Sequence, residues 1–126
     1  MGLTYTTAVI CNAADPSRAF EERFLVDSGA VFTFAPREKL AAIGVEALRR
    51  ERFRQMDGSL IERDVGRALI RLMGKEDVVP VVLGEPGDAS VLGVVTLEVL
   101  ALGVDPSCGE LRPVTLLAVS AFEPSE

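Results

Sequence analysis

The sequence contains no histidine. That absence removes Ser–His and Cys–His nucleophile–base pairs and the commoner zinc sites. Cysteine is scarce as well. Cys11 and Cys108 are the only two, too far apart in sequence for a local metal knuckle. They can meet in space, but a reducing compartment keeps such thiols unpaired, and Cys11 reads as a small buried hydrophobe. There is no apolar run long enough to span a membrane and no charged-then-apolar N-terminus of the signal-peptide kind, so the expected location is cytoplasmic, with no membrane partner. No Gly-rich phosphate loop is present, which leaves oxidoreductase and phosphotransfer readings without support and implies no cofactor. Positive charge is also thin. The formal net charge is −6, and the one basic run is Arg49-Arg50-Glu51-Arg52-Phe53-Arg54. A nucleic-acid partner needs a wider positive face. The alternation around Phe53 fits the solvated face of a strand better than a phosphate site.

What is present is enough apolar content, 48% of 126 residues, to build one modest core without staples. The chain reads as a single domain over residues 1–126, with its core at about 3–113 and a C-terminal strand and tail at 114–126. Strands are expected over Leu3–Cys11, Ala19–Val26 and Val31–Phe34. Pro36 then opens a short helix that Gly44 stops. Val45–Met56 alternates in part, Asp57-Gly58 marks a hairpin turn, and Leu60–Leu72 returns as the second arm, with Gly66 suggesting a bulge or bend. Met73-Gly74-Lys75-Glu76 turns the chain again. Val78–Leu83 is apolar, and its Pro80 favours an edge or a bulge. Ser90-Val91-Leu92-Gly93 leads into a helix over Val94–Leu102 closed by Gly103. A small hairpin around Pro106-Ser107-Cys108-Gly109 and a last strand over Val114–Phe122 complete a mostly β, barrel-like domain with two short helices.

One stretch organises the rest. Phe24-Leu25-Val26 runs directly into Asp27-Ser28-Gly29-Ala30, an apolar strand end meeting one acid and a small-residue turn. A carboxylate where a strand leaves the core must be hydrogen-bonded, paired or wet. Ser28 adds a small hydroxyl, and Gly29 lets a neighbouring group come close. A capped strand-to-turn junction accounts for the tripeptide taken alone.

The stretch resembles the active-site loop of the retropepsin-like aspartic proteases, Asp-Thr/Ser-Gly-Ala after an apolar strand, and Thr33 falls where that family has Ser or Thr. A second resemblance is Val91-Leu92-Gly93, whose glycine lies 93 − 27 = 66 residues after Asp27. In that family an apolar-apolar-Gly segment packs beside the Asp loop and a helix follows it. Single-domain bacterial sequences of this kind also carry Val-Asp-Pro before Leu-x-Pro, matched here by Val104-Asp105-Pro106 and Leu111-Arg112-Pro113. The resemblance runs from about Leu3 to Pro113 and implies an acid-protease barrel with one catalytic lobe per chain.

The chemistry so implied needs two facing carboxylates sharing one proton. Asp64, Asp77, Asp88 and Asp105 are not followed by Ser/Thr-Gly, so the resemblance implies a homodimer that opposes Asp27 to Asp27 about a two-fold axis. Ser28 would join a network across the dimer, and Met56, Asp57, Gly58 and Ser59 would form the flap. Val91, Leu92 and Gly93 would be structural, and no metal is implied. The expected partners are a second copy and a peptide or unfolded-protein substrate. Three readings stay open: a homodimeric aspartic endopeptidase, a retropepsin-like dimer that binds a peptide or protein with little hydrolysis, and an unrelated small β-barrel binding module.

Overall fold

A computed structural model describes residues 2–118. Nine strands and two helices follow in the order β1 (Tyr5–Cys11), β2 (Ala19–Val26), β3 (Thr33–Pro36), α1 (Arg37–Ala42), β4 (Arg49–Arg54), β5 (Leu60–Leu72), β6 (Lys75–Gly84), β7 (Val91–Leu92), α2 (Val94–Val99), β8 (Leu102–Val104) and β9 (Leu111–Pro113). The large sheet runs β1-β2-β7-β3-β6-β5-β4, and β1 also pairs with β5 through Ile10↔Ile70. That pairing closes six strands into a ring and leaves β4 as an appended strand. Closure removes the unpaired edges that an open sheet would present. The mostly β, barrel-like architecture with two short helices is the one expected.

The core follows the strand period. In the inner half of β5, Ala68, Ile70 and Leu72 alternate inward, and Ala8 and Ile10 do so in β1. Phe24, Leu40, Val79, Val81, Leu92 and Leu97 fill the space between. The outer end of β5, Leu60–Arg63, pairs only with β4 and projects as a hairpin. On that hairpin Arg50, Arg52 and Arg54 are exposed, and Arg50 pairs with Glu62 and Asp64, as a solvated strand face requires. Cys11 is fully buried and burial pushes its thiol up, whereas Cys108 is exposed; both are free. No helix among the described residues is long and apolar enough to cross a membrane.

Several local expectations are corrected. β3 starts at Thr33 rather than Val31 because the Ala30 and Val31 carbonyls accept the Val94 and Val95 amides at 2.8 and 3.0 Å. They satisfy the orphan donors at the start of α2 instead of joining a ladder. β6 starts at Lys75, since the turn is only Met73-Gly74, both at positive φ, 54° and 75°. β6 is an inner strand between β3 and β5, not an edge; Pro80 sits one residue before the β3 ladder begins at Val81. Gly66 makes no bulge in the β5–β6 ladder. A Cβ there would lie 2.5 Å from the Glu46 carbonyl oxygen, so the glycine admits a crossing backbone. α2 ends at Val99, and Ala101 takes the left-handed turn (φ 54°); Gly103 lies within β8. Of the last expected strand, 114–118 carries no strand pairing, and 119–122 lies outside the described residues.

Candidate active site

Asp27 stands at the residue after β2, and its position is fixed from both sides. β2 pairs in parallel with β7 through Leu25↔Val91 and Val26↔Leu92, and the Asp27 amide donates to the Leu92 carbonyl at 3.0 Å. The loop then closes on itself. Oδ1 of Asp27 accepts the Gly29 N–H at 2.9 Å, and the Asp27 carbonyl accepts the Ala30 N–H at 3.1 Å. A Cβ on Gly29 would sit 3.1 Å from that Oδ1, so the glycine permits the close approach. Asp27, Ser28 and Gly29 are all exposed. Among the described residues no side chain hydrogen-bonds to Asp27 or to Ser28, which leaves one oxygen of the carboxylate open to solvent.

Beneath the loop lies a buried polar knot. Thr33 and Thr96 are the only fully buried polar side chains of the described core. Their hydroxyls share a hydrogen bond of 2.7 Å, and Thr33 Oγ1 accepts the Gly93 N–H at 3.0 Å. The three residues tie β3, β7 and α2 together directly behind Asp27. Thr33→Val strips the partners from both Thr96 Oγ1 and the Gly93 amide, whereas Thr96→Val leaves the Thr33–Gly93 bond in place. Unmade buried hydrogen bonds cost about 1–3 kcal/mol each. Urea unfolding is therefore expected to rank Thr33→Val as clearly less stable than Thr96→Val; equal midpoints would contradict this account of the knot.

The structure thus brings Asp27, Ser28, Gly29, Ala30, Thr33, Val91, Leu92 and Gly93 into one cluster. Met56, Asp57, Gly58 and Ser59 form the tip of the β4–β5 hairpin, which satisfies itself. Asp57 Oδ1 accepts the Ser59 N–H and Oγ, Gln55 and Ser59 exchange bonds, and Arg54 reaches the Gly58 carbonyl at 3.1 Å. The Ser59 hydroxyl and amide hold the Asp57 carboxyl below its ordinary value. No described hydrogen bond joins this tip to the Asp27 cluster. Its arm is joined through Phe53, which packs edge-on against Phe34 and Phe32 at ring distances of 5.4 and 6.2 Å.

Three features lie outside the sequence reading. Thr96 carries half of the polar knot. Phe32 and Phe34, two apart in the chain, meet the hairpin arm. Arg63 pairs the arm with Asp88 of the β6–β7 loop, and Arg37 of α1 reaches both Asp64 of β5 and Glu85 of that loop. The Phe-Thr-Phe alternation was a usable signal for the second of these. Nothing local marks the ion pairs, whose partners are 25 to 48 residues apart.

No protein-family model and no curated protein matches this sequence. Among solved structures the chain is similar to the EIAV protease complexed with the inhibitor HBY-793, with a TM-score of 0.58 and 16% identity, covering 79% of this chain and 88% of that one. At that identity the likeness is one of fold, and the chain has the retropepsin-like fold.

Proposed function

We propose that this chain is an aspartic endopeptidase that works as a homodimer, cleaving peptides or unfolded protein in the cytoplasm. The carrying observation is the Asp27 carboxylate: pinned at a strand end, exposed, with one oxygen held by Gly29 and the other open. One such group cannot both accept and donate a proton in the same step. Opposed to its copy about a two-fold axis, it becomes a pair sharing one proton. The ionised member takes a proton from a water as that water attacks the peptide carbonyl carbon. The protonated member gives its proton to the carbonyl oxygen, forming a gem-diol. The first member then passes the proton it took to the amide nitrogen while the second removes one from a gem-diol hydroxyl. The C–N bond breaks to give a carboxylic acid and a neutral amine, and one proton remains on the pair. The fold shared with a protease supports this reading, and so do exposed Val114, Leu116 and Leu117, apolar surface that a second copy would cover.

The self-satisfied hairpin tip favours the second reading, a dimer that holds a peptide with little hydrolysis, because a tip whose donors are already used has fewer to give to a substrate backbone. Sedimentation across a wide concentration range, run beside cleavage of denatured casein, separates the readings. The peptidase gives specific activity that falls on dilution in step with dimer dissociation. A particle that is monomeric at every concentration, or a dimer that leaves casein whole, sinks it.

A further inference from the structure

Between the hairpin arm and the barrel lies an open recess of about 240 Å³ with Phe34, Phe53, Ile61 and Val91 as its apolar walls, Arg54 and Gln55 of the arm as its polar side, and the 84–90 loop at its rim. It borders the Asp27 strand: Val91 pairs with both Leu25 and Phe34, and the next residue, Leu92, carries the carbonyl that accepts the Asp27 amide. An apolar cavity of about 150 Å³ already admits benzene, so a phenyl-sized group fits. Two walls come from the barrel and two from the hairpin, and the rim comes from the 84–90 loop. The width of the recess therefore depends on what holds that loop to the arm.

Two bridges do so. Arg37 spans Asp64 on the arm and Glu85 in the loop, with side chains 25–41% exposed. Arg63 meets Asp88 directly and in bidentate fashion, Nε to Oδ2 at 2.7 Å and Nη2 to Oδ1 at 2.9 Å, at only 17% and 16% exposure. Exposed pairs hold little, whereas a bidentate, largely desolvated pair is strongly oriented and expensive to break from one side. Asp88 also shapes the loop itself, since Oδ2 accepts the Glu85 N–H at 2.8 Å, and the Gly87 turn (φ 95°) has open space around it. The guanidinium of Arg63 holds the Asp88 carboxyl below its ordinary value, so as pH falls the pair outlasts an unpaired carboxylate.

We propose that Arg63 and Asp88 are positioning residues for substrate recognition: their pair fixes the 84–90 loop against the hairpin arm and so shapes the Phe34–Phe53–Val91 recess to grip a large apolar side chain beside the scissile bond. The position of that bond rests on the peptidase reading; the grip itself does not. The test uses the Asp27→Asn dimer and two unstructured hexapeptides that differ only in a central Phe or Ala, with binding read by calorimetry. The Phe peptide is expected to bind at least about tenfold tighter. Asp88→Asn and Arg63→Gln each reduce that ratio to about threefold or less, and the reversed pair Arg63→Asp with Asp88→Arg restores it. Hydrogen exchange serves as the folding control: amides of 84–90 speed up in the single variants while those of β1 and β6 do not. A ratio near one in the parent, or an unchanged ratio once the loop is loosened, overturns the proposal. Casein cleavage by the native chain judges the peptidase reading separately. A chain that cleaves but does not discriminate the peptides removes the clamp alone; one that discriminates but never cleaves removes the peptidase and leaves the clamp standing.

Discussion

Asp27→Asn is expected to lower casein cleavage by at least about 10²-fold while the particle stays dimeric and folded. Asparagine keeps the shape and the Oδ1 acceptor for the Gly29 N–H, so the turn survives. It cannot take up or share a proton, so the water loses its base. The residue is exposed, and an isosteric surface change of this kind shifts stability by no more than about 0.5 kcal/mol. A mixing experiment sharpens the result. If each site needs one carboxylate from each protomer, an equal mixture of native and Asp27→Asn chains, allowed to exchange, traps native chains in mixed dimers, and activity per native chain falls to about half. Activity unaffected by an excess of the variant would mean that each chain works alone.

Gly93→Ala is expected to destabilise the fold by about 3 kcal/mol or more, lowering the thermal midpoint by roughly 10 °C. The backbone angles are not at issue, because φ −90° and ψ 170° suit any residue. Space is. The added Cβ would lie 2.5 Å from the Phe32 carbonyl carbon, 2.6 Å from its oxygen and 2.7 Å from the Val31 oxygen. These are backbone atoms and cannot rotate aside. Relief requires β3 to part from α2, which strains the Val94–Ala30, Val95–Val31 and Gly93–Thr33 hydrogen bonds together. Gly2→Ala, with nothing within 4 Å of the new methyl, is the control and should be neutral in the same calorimetric scan. A Gly93→Ala midpoint equal to that control would show that the junction yields cheaply.

Both positions could be found in the sequence, and for the same reason. Asp27 interrupts an apolar strand with a small-residue turn, and Gly93 follows an apolar pair before a helix; each is a local pattern. So are β2, read to its exact ends at Ala19–Val26, β5 at Leu60–Leu72, and the Asp57-Gly58 hairpin. Errors gather where a distant element decides. Val31 is apolar enough for a strand, but its carbonyl serves α2. Gly66 looks like a bulge until the Glu46 carbonyl is seen crossing it. Pro80 argues for an edge, yet β3 simply stops short of it. Thr96 hides in an apolar helix because its one partner is 63 residues away, and the Arg63–Asp88 pair has no signature along the chain at all.

The parallel pairing of β2 with β7 has a further consequence, in time rather than in space. Residues 25 and 26 have Tyr5 and Thr4 beside them from the start, but their β7 side stays open until residues 91 and 92 exist, and the Gly93 amide that completes the Thr33 knot follows directly after. Contacts of such long sequence separation form late. On a ribosome the segment bearing Asp27 emerges early and is held on one side only, by β1, through most of synthesis. Whatever chemistry this carboxylate performs is withheld from the nascent chain and from its neighbours until residues 91–93 have been made and packed beside it.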